Sequence, residues 1–127
     1  MANSARTRRA AETRGRRAEA LAAWALRLKG YRVLARRFRS GAGEIDLIVR
    51  RGRTLVFVEV KQRPDEAAAV AAVTPAAARR IARAAELWIG RNPVLAGFDR
   101  RFDVVAVVPR RWPRHIRSVF DGEGRSW

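Results

Sequence analysis

The sequence predicts an α/β fold: a mixed sheet flanked by helices, with core elements in the order αβββαβ. Three observations carry this. Apolar residues recur at helical spacing in two alanine-rich stretches, one near the N-terminus and one in the second half. Between and after them lie short runs rich in Val, Ile, Leu and Phe, with glycines at their borders. The chain has 127 residues, enough for one core and too few for two.

Residues 1–14 carry Arg6, Arg8, Arg9 and Arg14 with little apolar content, and are expected to form a disordered basic arm. The folded domain should occupy 15–120, with 121–127 as a C-terminal tail. A helix is expected from Ala18 to Leu28, where Leu21, Trp24, Ala25 and Leu28 form an i, i+3, i+4, i+7 stripe. Glu19 lies off that stripe, nearer Ala23 and Leu26. Gly30 ends the helix, and YRVLARRF (31–38) reads as a first strand. The loop Ser40-Gly41-Ala42-Gly43 leads to a second strand over 44–50. A tight turn at Arg51-Gly52 then leads to a third, from Thr54 to Lys61.

PDEAAAVAAV (64–73) reads as a loop. Thr74 and Pro75 form a helix start, with a capping hydroxyl followed by proline at the first helical position. That helix should run to Ile89, burying Ala77, Ile81, Ala84 and Trp88 while Arg79, Arg80 and Arg83 face away. RFDVVAVV (101–108) is a fourth strand and HIRSVF (115–120) a fifth.

Composition narrows the chemistry. There is no cysteine and one histidine, His115, so any metal must be held by oxygen ligands, which favours Mg²⁺ or Mn²⁺. A net charge of +16 points to a polyanionic partner, nucleic acid before a membrane surface or an acidic protein. No run approaches the roughly 20 apolar residues of a membrane span, and the N-terminus lacks a signal-like apolar core. A cytoplasmic protein with no membrane partner is expected.

The stretch GEIDLIVRRGRTLVFVEVKQR (43–63) places Glu44, Asp46, Glu59 and Lys61 in an otherwise apolar hairpin. A turn at Arg51-Gly52 would set Asp46 opposite Phe57 and diagonal to Glu59. Another odd offset would set it directly opposite Glu59. Either register gathers Asp46, Glu59 and Lys61, with Glu44 at the edge as a secondary candidate. Two carboxylates about 4 Å apart repel by roughly 4 kcal/mol at an effective dielectric near 20. A fold tolerates this where a cation sits between them or one is protonated. One reading pairs each acid with Lys61 or an arginine in a half-solvated sheet. The other is metal-assisted phosphodiester hydrolysis: the acids hold Mg²⁺, and the lysine orients water or meets charge building on the phosphate. Surrounding arginines, among them Arg36, Arg37, Arg63, Arg79, Arg80 and Arg83, would grip flanking phosphates.

Lys61 is one of only two lysines, the other being Lys29, in a chain that otherwise writes arginine. Trp24 and Trp88 read as packing residues and His115 as structural. Trp112 and Trp127 read either as base-stacking residues or as covers for apolar surface. Arg101 and Asp103 read as a pair.

Asp46, twelve intervening residues and then Glu59-Val60-Lys61 resembles the PD-(D/E)XK nuclease pattern. Glu19 in a first helix, GYRVLARRFR, GEIDLI, FVEVKQR, VTP before a helix, and RFDVV look like the YraN-type bacterial family over residues 15–120. That family is similar to archaeal Holliday-junction resolvases. The resemblance implies a restriction-endonuclease-like core and a Mg²⁺- or Mn²⁺-dependent endonuclease hydrolysing DNA, with branched or junction DNA as candidate substrate. It implies Asp46 and Glu59 as metal ligands, Lys61 as the catalytic lysine, and Glu19 and the Val60 carbonyl as further ligands. Junction cleavage would call for a homodimer. The alternative is a non-catalytic nucleic-acid-binding module on the same fold. Ala77 stands where that family often has lysine, and the loop after Glu59-Val60-Lys61 lacks its usual glycine.

Overall fold

The first helix, α1 (Ala2–Leu28), leads into the strands β1 (Arg32–Arg39), β2 (Glu44–Arg51) and β3 (Thr54–Gln62). The short helix α2 (Glu66–Ala71) and the longer α3 (Pro75–Gly90) follow, then a single 3₁₀ turn at Pro93–Leu95, and finally β4 (Asp99–Val107) and β5 (Arg114–Phe120). The computed structural model describes residues 2–121. Apart from Asp121, the expected tail, with Trp127, lies outside the described residues.

The five strands form one mixed sheet in chain order. β1–β2, β2–β3 and β4–β5 are antiparallel, while β3 and β4 are parallel. A parallel pair needs a crossover, and α2 and α3 supply it. Alternate strand positions feed two cores. Ile48, Leu55, Phe57 and Phe102 pack under Ile81, Ala84, Ala85 and Trp88 of α3. Leu47, Val49, Val56, Val58 and Val105 pack under Ala22, Ala23 and Leu26 of α1. The sheet is thus covered on both faces, as expected for a restriction-endonuclease-like core.

Three expectations need correction. The N-terminal segment is helical rather than disordered. Ala, Arg and Glu are strong helix formers and no proline interrupts them, yet the described side chains of 5–10 and 12–14 are all exposed. Local propensity, not packing, makes those turns. Second, the buried stripe of α1 is Ala18, Ala22, Ala23, Ala25 and Leu26, whereas Leu21, Trp24 and Leu28 face outward. Small alanines let the helix lie close on the sheet, and a count weighted by large side chains selects the wrong face. Third, the alanine-rich stretch after Pro64 is not a loop. Asp65 caps it, accepting from the Ala68 N–H at 2.8 Å, and it folds as α2. The start of α3 is as expected, Thr74 Oγ1 accepting from Ala77 N at 3.1 Å. Among the described residues no helix is long and apolar enough to cross a membrane.

Candidate functional site

The β2–β3 turn is Gly52-Arg53 rather than Arg51-Gly52, so Arg51 pairs with Thr54. Gly52 takes φ 59° at the first turn position, which glycine does without strain. The register that follows ends at Leu47↔Val58, and its next step sets Asp46 opposite Glu59. Beyond Leu47↔Val58, side chains take over the role of the ladder. The Val60 N–H donates to Asp46 Oδ2 at 2.8 Å, and the Asp46 N–H donates to Glu59 Oε1 at 3.4 Å. Here β2 continues along β1, while β3 continues along β4 through Lys61 and Gln62. The two acids fill the opening between the diverging strands.

Strand alternation breaks at the same level. Ile45 and Ile48 both join the α3-side core, although Leu47 and Val49 join the α1 side. On the neighbouring β1, Arg37 adopts φ 50°, a left-handed conformation uncommon for arginine. Its Nε donates to Glu19 Oε2 at 2.6 Å. Gly43 completes the rim: a Cβ there would lie 3.0 Å from the Arg80 carbonyl oxygen, so a side chain would push this loop and α3 apart by a few tenths of an ångström.

Lys61 Nζ lies 3.9 Å from Glu59 Oε2. Burial, followed by the charge of Asp46, pushes Glu59 up to about 8, with Lys61 pulling the other way. Burial also raises Asp46, opposed by its bond from the Val60 N–H. A buried acid pair of this kind keeps a proton unless a stronger cation replaces it. The oxygen-only donor set therefore fits Mg²⁺ or Mn²⁺. Among the described residues, no three acidic or histidine groups converge as a ready metal cluster.

Two adjoining concavities, of about 300 and 430 Å³, share Gly15, Glu19, Glu44 and Asp46 as walls. Glu59, Val60 and Lys61 line the larger one. The structure thus brings Glu19, Asp46, Glu59, Val60 and Lys61 to one groove. Glu44 sits at the edge, two-thirds exposed and 3.7 Å from Arg39 Nε. Arg37 and Arg63 line the groove, together with Arg14, Arg16 and Arg39. Arg36 is exposed on β1 and lines neither concavity. Arg79 and Arg83 are exposed on α3, across the sheet from α1, and Arg80 reaches only the Gly43 rim.

Residues 18–107 match the model described as "Uncharacterised protein family UPF0102". The chain belongs to this family, the YraN family. A UPF0102 protein of Methylobacterium nodulans is 56% identical over 120 residues, covering 94% of this chain and 93% of the relative. One from Methylorubrum extorquens is 55% identical over 117 residues, covering 92% and 91%. One from Parvibaculum lavamentivorans is 58% identical over 106 residues, covering 84% and 80%. The UPF0102 match takes in Glu19, Asp46, Glu59 and Lys61, and stops before β5.

Sequence reasoning missed most of a second polar cluster, on the α1 face. Asp103, fully buried on β4, accepts from Arg101 Nε at 2.9 Å, from the Ser118 N–H at 3.0 Å, and pairs with His115 Nε2 at 2.6 Å. Burial alone would raise Asp103; the bonds from His115, Arg101 and Ser118 outweigh it and hold the carboxyl below its usual range. The Arg101–Asp103 pair was legible, although it runs along β4. The rest depends on a bulge that cannot be read from periodicity: the β4–β5 register slips between Phe102 and Val104, and Ser118 turns to φ 54°. That turn aims its N–H inward. The chain of bonds ends at Lys29, whose Nζ is 2.8 Å from His115 Nδ1.

Proposed function

We propose that the chain is a divalent-metal-dependent nuclease that hydrolyses phosphodiester bonds in DNA, with branched or junction DNA as the candidate substrate. The observation that carries this reading is the interlocked Asp46–Glu59 pair in the strand opening, with Lys61 3.9 Å away. A purely structural acid pair gains nothing from such burial, because each group would be better solvated outside. When bound, Mg²⁺ or Mn²⁺ polarises the phosphate and makes a bound water more acidic.

Around that chemistry, the chain's own residues have separate tasks. Asp46 and Glu59 hold the cation, helped by the Val60 carbonyl. Lys61 brings its ammonium to the phosphate oxygens or to the attacking water, which a compact point charge does better than a guanidinium. Arg37 and Arg63 on the groove walls neutralise flanking phosphates. Glu19 joins the acids once Arg37 turns from it to a phosphate. A four-way junction presents two scissile strands, so its resolution calls for two copies of the chain.

One observation favours a second reading, a nucleic-acid-binding module without catalysis: Arg37 occupies Glu19 at 2.6 Å. Incubation with linear, flapped, single-stranded and four-way-junction DNA separates the two. Cleavage in Mg²⁺ or Mn²⁺, lost in EDTA and in Asp46→Asn, is expected. Binding with no cleavage of any substrate would establish the module instead.

A further inference from the structure

The hairpin between β4 and β5 carries Pro109-Arg110-Arg111-Trp112-Pro113-Arg114, an aromatic ring set among arginines. Trp112 is 59% exposed, and a solvated indole of this size leaves much apolar surface in water. Pro113 fixes φ beside it and restricts the backbone of Trp112 itself, which stiffens the loop. The indole is not on a convex surface. It walls a groove of about 460 Å³ whose apolar side is formed by Ala25, Leu26, Val105 and Pro113. Lys29, Arg114 and His115 form the polar side.

Lys29 is held in place there. An ammonium has only donors, so His115 Nδ1 accepts from it at 2.8 Å and the ring proton on Nε2 points to buried Asp103. Burial and the nearby charges of Arg117 and Arg51 lower the Lys29 pKa. This rim is crowded with positive charge, and an anion would relieve it. The Arg114 side chain turns the other way, to Glu66 of α2 at 3.3 Å.

The groove adjoins the candidate site. Lys61 pairs in register with Ala106, and Ala106 with Arg114; Val60 pairs with Val105, and Val105 with His115. Two strand spacings, roughly 9–10 Å, therefore separate the Val60–Lys61 end of β3 from the His115–Arg114 end of β5. One strand of nucleic acid lying along the α1 face would meet both.

We propose that this groove is a subsite for an unpaired nucleotide next to the scissile phosphate, its base stacked on Trp112 and its phosphate held by Lys29. The proposal deepens the nuclease reading and rests on it for what lies next door. A base inside a duplex already has stacking partners on both sides, so the indole selects strands with unpaired bases, as at flaps, gaps or branch points.

The test is equilibrium binding in EDTA, where nothing is cut, to labelled oligo(dT) and to a blunt duplex of equal length. Trp112→Ala should weaken oligo(dT) binding by roughly 5- to 150-fold, the range for losing one stacked base. Duplex affinity should stay within about twofold. Trp112→Phe should restore most of the loss, which a folding defect would not allow. Lys29→Met should reduce the salt slope for oligo(dT) by about 0.7, one single-strand phosphate contact. Trp24→Ala, an exposed tryptophan that does not line the groove, should change neither. Equal losses on both substrates, or no loss in Trp112→Ala, would overturn the subsite. Because cleavage is not the readout, a chain that never cuts DNA leaves this test standing. A chain that cuts DNA but ignores Trp112→Ala loses only the subsite.

Discussion

The Val60 N–H donates to Asp46 Oδ2 at 2.8 Å, one step beyond the last regular pair of the β2–β3 ladder. That bond ties a metal-ligand candidate to the main chain of the residue between Glu59 and Lys61. The acids are therefore held by the backbone of the split itself, and their geometry does not depend on flexible side-chain partners. What remains strained is their charge, and charge can be tested directly.

Metal should stabilise the fold. A cation that binds only the native state adds RT ln(1 + [L]/Kd), about 2.7 kcal/mol at a hundredfold excess over Kd. Millimolar Mn²⁺ or Mg²⁺ should raise the melting temperature by several degrees. Asp46→Asn keeps an oxygen to accept from Val60, so its metal-free melting temperature should be unchanged or higher, while the metal's effect disappears. A parent protein indifferent to millimolar Mn²⁺ would count against the carboxylate pair as a metal site.

The same pair sets a pH dependence. Glu59 is raised from an ordinary 4.5 to about 8, so between those values the native state binds more protons than the unfolded state. Stability must then fall as pH rises across that window, by at most about 1.4 kcal/mol per pH unit from this group. Glu59→Gln should flatten the fall. Stabilisation by Mn²⁺ should grow in the parent towards pH 8, because the cation displaces the proton. Urea midpoints from pH 5 to 8 would decide it. A parent and a variant with parallel profiles would show that Glu59 ionises normally.

Asp103 should behave in the opposite sense. Its carboxyl is held below the usual 3.8, so its contribution is present above that value and lost as pH falls through the lowered one. Asp103→Asn leaves Arg101 and His115 facing an amide in a buried site, and should cost about 3–5 kcal/mol at neutral pH. The parent's advantage should shrink below pH 4. A loss under about 1 kcal/mol would mean that water enters and replaces the carboxylate.

The fold was readable because its signals are local. Alternation gave the strands, Thr74-Pro75 gave the start of α3, and Asp46, Glu59 and Lys61 lie close enough in sequence for one hairpin to join them. Both candidate registers gathered these residues, so the one-residue error in the turn did no harm. What escaped depends on contacts distant in sequence or on irregular backbone. The close approach of α1 through Ala18, Ala22 and Ala25 reversed which face looked buried. Arg37 at φ 50° and Ser118 at φ 54° have no sequence signature, yet one holds Glu19 and the other completes the Asp103 network. Lys29 showed only as a rarity in composition. Its partner, His115, lies 86 residues away.

The last prediction concerns which face meets DNA. The arginines of α3 are attractive in sequence because they point away from a clear apolar stripe, but that criterion tests exposure, not proximity to the site. Arg14 and Arg63 line the same concavity as Asp46, Glu59 and Lys61, whereas Arg79 and Arg83 stand on the helix covering the opposite face. On duplex DNA, each phosphate contact contributes about −0.9 to the slope of log affinity against log salt. The double variant Arg14→Ala/Arg63→Ala should therefore flatten the slope by roughly 2. Arg79→Ala/Arg83→Ala should flatten it by less. Binding measured in EDTA keeps chemistry out of the comparison. If the two variants exchange effects, the duplex lies along α3, and the groove beside α1 receives only the strand being cut.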